Sequence, residues 1–153
     1  MSAYWWIGRR VVPDGGGLFS RTRPGLELQV FFGNSEWDPQ ELDCSRVYPV
    51  RREVPATDAV AREAIRLLLA GPTPEEVREG YFTSLNADVP IRTLEIRGGI
   101  ARIDFGGQFE RGLAGSCRVE AVRAQVEQTL LQFDSVHSVE ITVEGDRAAA
   151  LQP

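Results

Sequence analysis

Cys117 stands at the start of the segment GSCRVEAVRAQVEQTLLQF, the position in this sequence that most favours chemistry. A cysteine at a helix N-terminus can ionise to a reactive thiolate, because the helix macrodipole stabilises negative charge there. Arg118 would add positive charge, but no group able to accept the thiol proton lies nearby in sequence. Cys44, the only other cysteine, precedes a predicted strand, so a disulfide is the second interpretation. We favour the disulfide, which would indicate an oxidising compartment.

The other groups that could move protons are few and scattered. His137 is the only histidine, so no zinc site with several histidines can form, and we expect it in a surface loop. Asp104 alternates with core positions of a predicted strand, which predicts that it faces solvent or a sheet edge. The glycine runs PDGGG and FGGQF lack the spacing of phosphate-binding loops. We predict no catalytic, cofactor-binding or metal-binding residues, and keep Asp104, Glu110 and His137 for an alternative ligand-binding or hydrolytic site.

The composition is that of one globular domain with no nucleic-acid footprint. The 153 residues carry a formal net charge of -5, which argues against nucleic-acid binding. All 17 basic residues are arginine, and this excludes lysine chemistry such as Schiff bases. The sequence contains no apolar run of about 18 residues that could span a membrane. The opening MSAYWWIGRR is not a signal peptide, so the protein is cytoplasmic or its export segment lies outside this sequence.

Residues 1–26 differ from the rest of the chain because they are rich in glycine and proline. This composition predicts a flexible lead-in, with an extra strand at Tyr4–Val12 as the alternative. For the aromatic cluster Tyr4–Trp6, packing onto the sheet is favoured over an exposed docking patch or the remnant of an anchor. Residues 27–153 are predicted to form the folded domain.

Two strands are predicted in the first part of the domain. LELQVFF alternates apolar and polar residues, as a half-buried strand does. SRVYPVRREV predicts an edge strand, since Pro49 cannot donate a hydrogen bond to a central ladder. An exposed edge can accept an added strand from a partner. The candidate interaction edge consists of Val47, Tyr48, Pro49 and Val50.

Two helices follow these strands. The segment PATDAVAREAIRLLLA has apolar residues at helical spacing, and Thr57 or Asp58 can cap it. Gly71 and Pro72 form the structural turn that ends this helix. A short helix begins at TPEE and ends at Gly80.

The last part of the domain contains a hairpin, a helix and a strand. Gly98 and Gly99 form the predicted two-residue turn of the hairpin TLEIRGGIARIDF. Its expected buried residues are Leu94, Ile96, Ile103 and Phe105. Ser116 is the predicted cap of the following helix, and SVEITVEG is the final strand. The apolar stripe of this helix comprises Val119, Val122, Val126, Leu130 and Phe133.

Two amphipathic helices and about five strands predict an α+β two-layer sandwich, with the helices on one face of a mixed sheet in split βαββαβ order. Six segments of the sequence also stand out in order: VFFGNSEWDP, CSRVYPVRREVP, LLLAGPTPEEVREGYFTSL, ARIDFGGQF, GSCRVEAVRAQVEQTLLQF and VEITVEG. Together they resemble the GerMN domain, the sporulation and spore germination domain of bacterial envelope proteins. The resemblance covers about residues 27–153.

This resemblance implies a place outside the cytoplasm, usually behind a signal peptide or a lipoprotein anchor, and no known catalytic activity. GerMN domains are linked to spore formation and germination, are similar to ring-building modules of envelope complexes, and also occur in bacteria that do not sporulate. This sequence has one copy rather than a tandem pair and lacks an export signal. The contexts of Cys44 and Cys117 match positions where longer versions carry paired cysteines, so the resemblance also implies a disulfide.

We therefore expect a non-enzymatic domain of the cell envelope, without cofactor, whose native membrane anchor lies outside this sequence. Its expected partner is an envelope protein or a second copy of itself, bound through the sheet edge or a helix face. The alternative is a small-ligand-binding or hydrolytic domain that acts on cell-wall material.

Overall fold

The computed structural model describes residues 24–40, 42–147 and 151, so the predicted strand Tyr4–Val12 and the cluster Tyr4–Trp6 lie outside the described residues. Within them the elements, in chain order, are β1 (Leu26–Asn34), β2 (Tyr48–Val54), α1 (Val60–Ala70), α2 (Pro74–Arg78), β3 (Tyr81–Phe82), β4 (Ile91–Arg97), β5 (Ile100–Phe105), a 3-10 helix (Gly107–Phe109), α3 (Ser116–Leu131), β6 (Ser138–Val143) and β7 (Asp146–Arg147). The predicted α+β class is confirmed. None of the helices in this part of the chain has the length and apolar character needed to cross a membrane.

The strands lie in two sheets, where the sequence predicted one sheet of about five strands. The first sheet is antiparallel with the order β2-β1-β3, and it places β2 at an edge as Pro49 predicted. The second sheet has the order β4-β5-β6-β7 and is mixed, because β5 and β6 run parallel. Helix α3 provides the crossover connection that parallel neighbours require.

Polar side chains of α3 and of its C-cap, Gln132, explain why no other strand of the described residues pairs with β1 at Gln29 and Phe31 on the side away from β2. Gln132 Nε2 donates to the carbonyl of Gln29 at 2.7 Å, and Gln132 Oε1 accepts from the Gln29 N–H at 2.9 Å. Thr129 Oγ1 accepts from the N–H of Phe31 at 3.3 Å, and Gln125 Nε2 donates to the Phe31 carbonyl at 3.1 Å. These groups satisfy the backbone that another strand would otherwise pair with. We call Gln125, Thr129 and Gln132 the polar seam.

The larger of two apolar clusters joins α1 and α3 to both sheets. Helix α3 contributes most of its predicted stripe, with Val122, Val126 and Leu130 buried and the two end residues, Val119 and Phe133, half-buried. The hairpin contributes Ile103 and Phe105 as predicted, whereas Leu94 and Ile96 are half-buried because β4 is an edge strand. The same cluster contains Val30 and Phe32 of β1 and Ile65 and Leu68 of α1.

Three predicted boundaries are confirmed. Helix α1 ends at Gly71, and Pro72 lies outside any helix or strand. Helix α2 begins with a capping box in which Thr73 and Glu76 bond reciprocally to each other's backbone N–H. Gly98 and Gly99 form the hairpin turn, with φ values of 57° and 79° that suit glycine.

Two predicted helix caps are wrong. The N-cap of α1 is Ala59 without a side-chain bond, because Thr57 Oγ1 accepts from the N–H of Ala59 before the helix begins. The N-cap of α3 is Gly115, and Ser116 is already the first helical residue. Helix α1 thus begins after Thr57 and Asp58, whereas α3 begins at Ser116 itself, one residue earlier than a Ser116 cap requires.

Candidate interaction site

The predicted interaction edge, Val47–Val50, lies at the open side of the first sheet. Residues of an antiparallel strand direct their N–H and C=O alternately to one neighbour and to the other. Gln29 and Phe31 direct theirs to α3, so their register partners Arg51 and Pro49 direct theirs away from β1. Pro49 therefore removes a hydrogen-bond donor from the open edge and leaves the β1–β2 ladder intact.

The side chains of this edge offer little apolar contact surface. Val47, Tyr48 and Val50 are half-buried, and the last two pack against the core. Only Pro49 is exposed. A partner at this edge must therefore find most of its apolar contact elsewhere.

The loop 35–47, which connects β1 to β2, is held by a buried asparagine at the end of β1. Asn34 is only 2% exposed. Its Oδ1 accepts from the N–H groups of Glu36 at 2.9 Å and Trp37 at 3.2 Å, and its Nδ2 donates to the carbonyl of Glu79 at 3.1 Å. One side chain thus fixes the start of the loop to the segment that precedes β3.

Gly80 makes this close approach sterically possible. Its φ is 89°, and a Cβ atom there would lie 2.6 Å from Cγ of Glu36 and 2.9 Å from Oδ1 of Asn34. Any larger residue would push the loop away from Asn34.

Trp37 is an exposed residue in the part of the loop that Asn34 holds. The ring of Trp37 meets Tyr48 edge to face at 4.9 Å and Tyr81 at 5.6 Å between centroids. These contacts fix its position, yet 58% of Trp37 remains exposed. Leu42, in the same loop, is 81% exposed. Large exposed apolar side chains held in place are typical of protein-binding surfaces.

Several acidic residues of the loop 35–47 and of α2 are paired with arginine. Arg52 contacts both carboxylate oxygens of Glu76, at 2.5 and 2.7 Å. The other pairs are Arg78 with Glu75, and Arg46 with Asp38 and Asp43. Glu36 and Glu79 form no ion pair with the part of the chain that the structure describes. We call Trp37, Tyr48, Tyr81, Glu36 and Glu79 the Trp37 patch.

The ionisation of two groups reflects this environment. Burial opposes ionisation of Glu76, but hydrogen bonds from Arg52 and from the N–H of Thr73 outweigh it and lower the pKa of Glu76. Burial, followed by the charges of Glu79 and Glu76, raises the pKa of Tyr81. The charges of Glu79 and Glu76 therefore act on the Tyr81 side chain.

Cys44 and Cys117 form a disulfide, with their Cα atoms 5.0 Å apart. This confirms the favoured interpretation and contradicts the reactive thiolate, because both cysteines of the sequence are bonded. The disulfide ties the loop 35–47 to the first turn of α3. The loop that carries Trp37 is thus held at two points, by hydrogen bonds from Asn34 near its start and by the disulfide of Cys44 near its end.

A cavity of about 360 Å³ lies behind this loop. Its lining includes the disulfide, Phe82, Ala121, Asp38 and Arg46. Its volume falls within the range of small-molecule sites.

A second, more open cleft of about 490 Å³ runs along α1. Its two arginines already have partners, since Arg62 donates to the carbonyl of Ile91 at 2.8 Å and Arg66 pairs with Glu63. This cleft offers no unpaired cation to a ligand.

Asp104 does not face solvent, which corrects the sequence-based expectation. It is only 8% exposed, and its carboxylate accepts from Arg92 at 2.9 Å, Thr142 Oγ1 at 2.7 Å and the N–H of Gly145 at 2.9 Å. Strand β5 is central in its sheet, so neighbours from β4, β6 and the following turn cover the outward side chain. Burial opposes ionisation, but the bonds from Thr142 and Gly145 and the charge of Arg92 outweigh it and lower the pKa of Asp104.

The three groups of the alternative site, Asp104, Glu110 and His137, line neither of the two cavities described above. His137 is exposed and directly precedes β6, as predicted. Its backbone N–H donates to the carbonyl of Gly99 at 2.7 Å. No group of three or more acidic, histidine or cysteine residues in the described ranges could hold a metal ion.

Two features described above were not predicted from the sequence. A tryptophan within the polar loop sequence GNSEWDP was the available signal for the Trp37 patch, because such loops rarely bury large aromatic residues. The polar seam was signalled by uncharged polar residues at positions 125, 129 and 132, which share one face of a helix. Neither signal identifies a partner without the fold.

The chain is similar to a known protein family and to several solved structures. The family model Germane, described as sporulation and spore germination, matches residues 29–149. No curated protein sequence gives a significant match.

Solved structures with the same fold include the first GerMN domain of the sporulation protein GerM from Bacillus subtilis. It has a TM-score of 0.62 and 21% identity over 80% of this chain and 85% of that chain. The tandem GerMN domains of the same protein have a TM-score of 0.59 and 18% identity, over 80% of this chain and 40% of that chain. A provisionally assigned lipoprotein from Clostridium perfringens has a TM-score of 0.50 and 15% identity, over 80% of this chain and 77% of that chain.

Proposed function

The chain belongs to the Germane family of sporulation and spore germination, and from this premise we propose that it is a non-enzymatic, protein-binding module of the bacterial cell envelope. The observation that carries the proposal is the Trp37 patch, in which an indole is 58% exposed although two tyrosines and a buried asparagine fix its position. A fixed aromatic side chain loses little conformational entropy on binding. Tryptophan is also enriched among the residues that dominate protein interfaces.

The disulfide supports the proposed location. Structural disulfides persist in oxidising compartments and are rare in the cytosol. One of the proteins with a similar fold is provisionally assigned as a lipoprotein, and two of the structures come from a sporulation protein. An anchored envelope protein would place the Trp37 patch where other envelope proteins can reach it.

Capture from an envelope extract of the native host tests the proposal. The wild-type chain is compared with Trp37→Ala and with Leu131→Ala, a control at another exposed apolar residue. We expect one or a few proteins, or a second copy of the chain, to be retained by the wild type and the control and lost with Trp37→Ala. Equal capture by all three chains, or a monomer that captures nothing, would contradict the proposal.

Binding of a small cell-wall ligand is a second candidate function, and the cavity of about 360 Å³ is the observation that favours it. Its residues would be those around the disulfide, because Asp104, Glu110 and His137 do not line it. An Ala121→Phe variant would fill the cavity without touching the Trp37 patch. Loss of the protein's function in the native host with Ala121→Phe, but not with Trp37→Ala, would favour the ligand-binding function.

A further inference from the structure

The charges of the Trp37 patch define the chemistry of a partner, an inference that rests on the proposed function. Glu36 directly precedes Trp37, and Glu79 lies two positions before Tyr81. The side chain of Asn34 bonds the backbone of Glu36, Trp37 and Glu79, so the backbone positions that carry both carboxylates are fixed close to the backbone of Trp37.

These two carboxylates differ from their acidic neighbours. Glu75, Glu76, Asp38 and Asp43 have arginine partners, whereas Glu36 and Glu79 are exposed and have no ion pair with any described residue. The loop 35–47 contains four acidic residues and a single arginine. The patch therefore combines an exposed aromatic ring with uncompensated negative charge.

We propose that the Trp37 patch binds an arginine- or lysine-rich segment of a partner protein, with one cationic side chain on the indole of Trp37 and its charge held by Glu36 and Glu79. Cations are attracted to aromatic rings, most strongly to tryptophan. The carboxylates supply the opposite charge that favours approach of the segment and selects against acidic partners. An apolar partner would leave both carboxylates beside a dry contact, at a cost in desolvation.

The test uses the full chain with Trp5→Phe and Trp6→Phe, so that Trp37 is its only tryptophan. A dye-labelled, capped peptide of alternating arginine and glycine is titrated, and peptide anisotropy and Trp37 emission are recorded together. The charge-reversed peptide of glutamate and glycine serves as the control probe. We expect saturable binding of the arginine peptide only, with a change in Trp37 emission at the same concentrations.

Variants identify the contributing groups. Glu36→Gln combined with Glu79→Gln is expected to weaken binding about tenfold, since each exposed ion pair contributes modestly. The matched control, Glu53→Gln with Glu120→Gln, removes the same net charge from two exposed glutamates elsewhere. It is expected to leave binding within about twofold of the parent, because distant exposed charges are screened.

Three results would overturn the inference. One is the absence of saturable binding, and another is equal weakening by the two glutamine pairs, which would indicate non-specific attraction. The third is binding of the arginine peptide that appears only when Arg9→Gln and Arg10→Gln are added to the chain. This result would identify the basic residues of the chain's own lead-in as the occupant of the Trp37 patch. If these results appear while Trp37→Ala still abolishes capture from the envelope extract, the protein-binding function stands and only the basic partner is wrong.

Discussion

At the residue scale, single buried polar side chains determine where the exposed groups stand. Asn34 and Asp104 each accept or donate several bonds from different elements, and the described residues contain no buried polar side-chain atom without a partner. Such groups are costly to disturb, because removal of one partner leaves others unsatisfied in a low-dielectric interior.

Replacement of Asn34 by alanine is expected to lower the free energy of unfolding by about 2–3 kcal/mol. The backbone N–H groups of Glu36 and Trp37 and the carbonyl of Glu79 would lose their side-chain partner. Urea denaturation measures the stability, and Trp37 emission in the Trp5→Phe, Trp6→Phe background measures the loop. A loss of less than about 0.5 kcal/mol, with Trp37 emission unchanged, would contradict this assignment.

The pH dependence of stability follows from Asp104. Its pKa in the folded protein is lowered below the ordinary value of 3.8, so the unfolded chain takes up a proton first as the pH falls. The stabilisation is therefore complete well above pH 3.8 and is lost as the pH falls through the lower folded pKa. We expect Asp104→Asn to be less stable at neutral pH and to lose less stability in acid.

Urea denaturation from neutral pH down to about pH 3 measures this dependence. Asp134→Asn, at an exposed aspartate, is the control and should retain the acid response of the parent. An unchanged acid slope in Asp104→Asn would show that other carboxylates, such as Glu76, govern the response.

At the element scale, helix α3 does two things. Its apolar stripe fills the core, and its polar seam replaces a neighbouring strand along β1. The division of the strands into two sheets follows from this second role. On the other side of β1, β2 is the edge strand among the described residues, and its Tyr48 belongs to the Trp37 patch.

The polar seam predicts the outcome of a conservative substitution. Thr129→Val keeps the shape of the side chain and removes the acceptor for the N–H of Phe31. We expect a loss of about 1–3 kcal/mol in the free energy of unfolding and faster hydrogen exchange at the Phe31 amide. Thr129→Ser retains the hydroxyl and should preserve the protection of that amide, and equal exchange in both variants would contradict the seam.

The sequence predicted elements well where a local signal defines them. Gly98 and Gly99, the TPEE helix start and Pro49 each encode a backbone constraint, and all three elements are where the sequence placed them. The burial of Asp104 and the arrangement of the Trp37 patch depend on contacts between residues far apart in sequence. Periodicity cannot encode such contacts, so these parts required the fold.

At the scale of the whole molecule, one covalent bond connects the exposed loop to the rest of the fold. The disulfide joins residues separated by 73 positions. Such a loop closure contributes about 4 kcal/mol in the chain-entropy account, before any strain is subtracted. The loop that carries Trp37 and the helix that carries the polar seam are thereby coupled.

Reduction, or the double variant Cys44→Ser with Cys117→Ser, is expected to lower the free energy of unfolding by up to about 4 kcal/mol. In protein recovered from the native host, alkylation without reduction should leave the intact mass unchanged, because both thiols are bonded. Two alkylated cysteines would contradict the proposed oxidising compartment.

We propose above that the open end of the first sheet binds another protein through the Trp37 patch. The most direct measurement is site-specific photo-crosslinking in living host cells, with the photoreactive residue at Pro49, beside Tyr48, and at Leu131 as the control. We predict a discrete adduct from position 49 that disappears with Trp37→Ala, and none from position 131. Adducts of equal yield from both positions, or an adduct that survives Trp37→Ala, would contradict the claim.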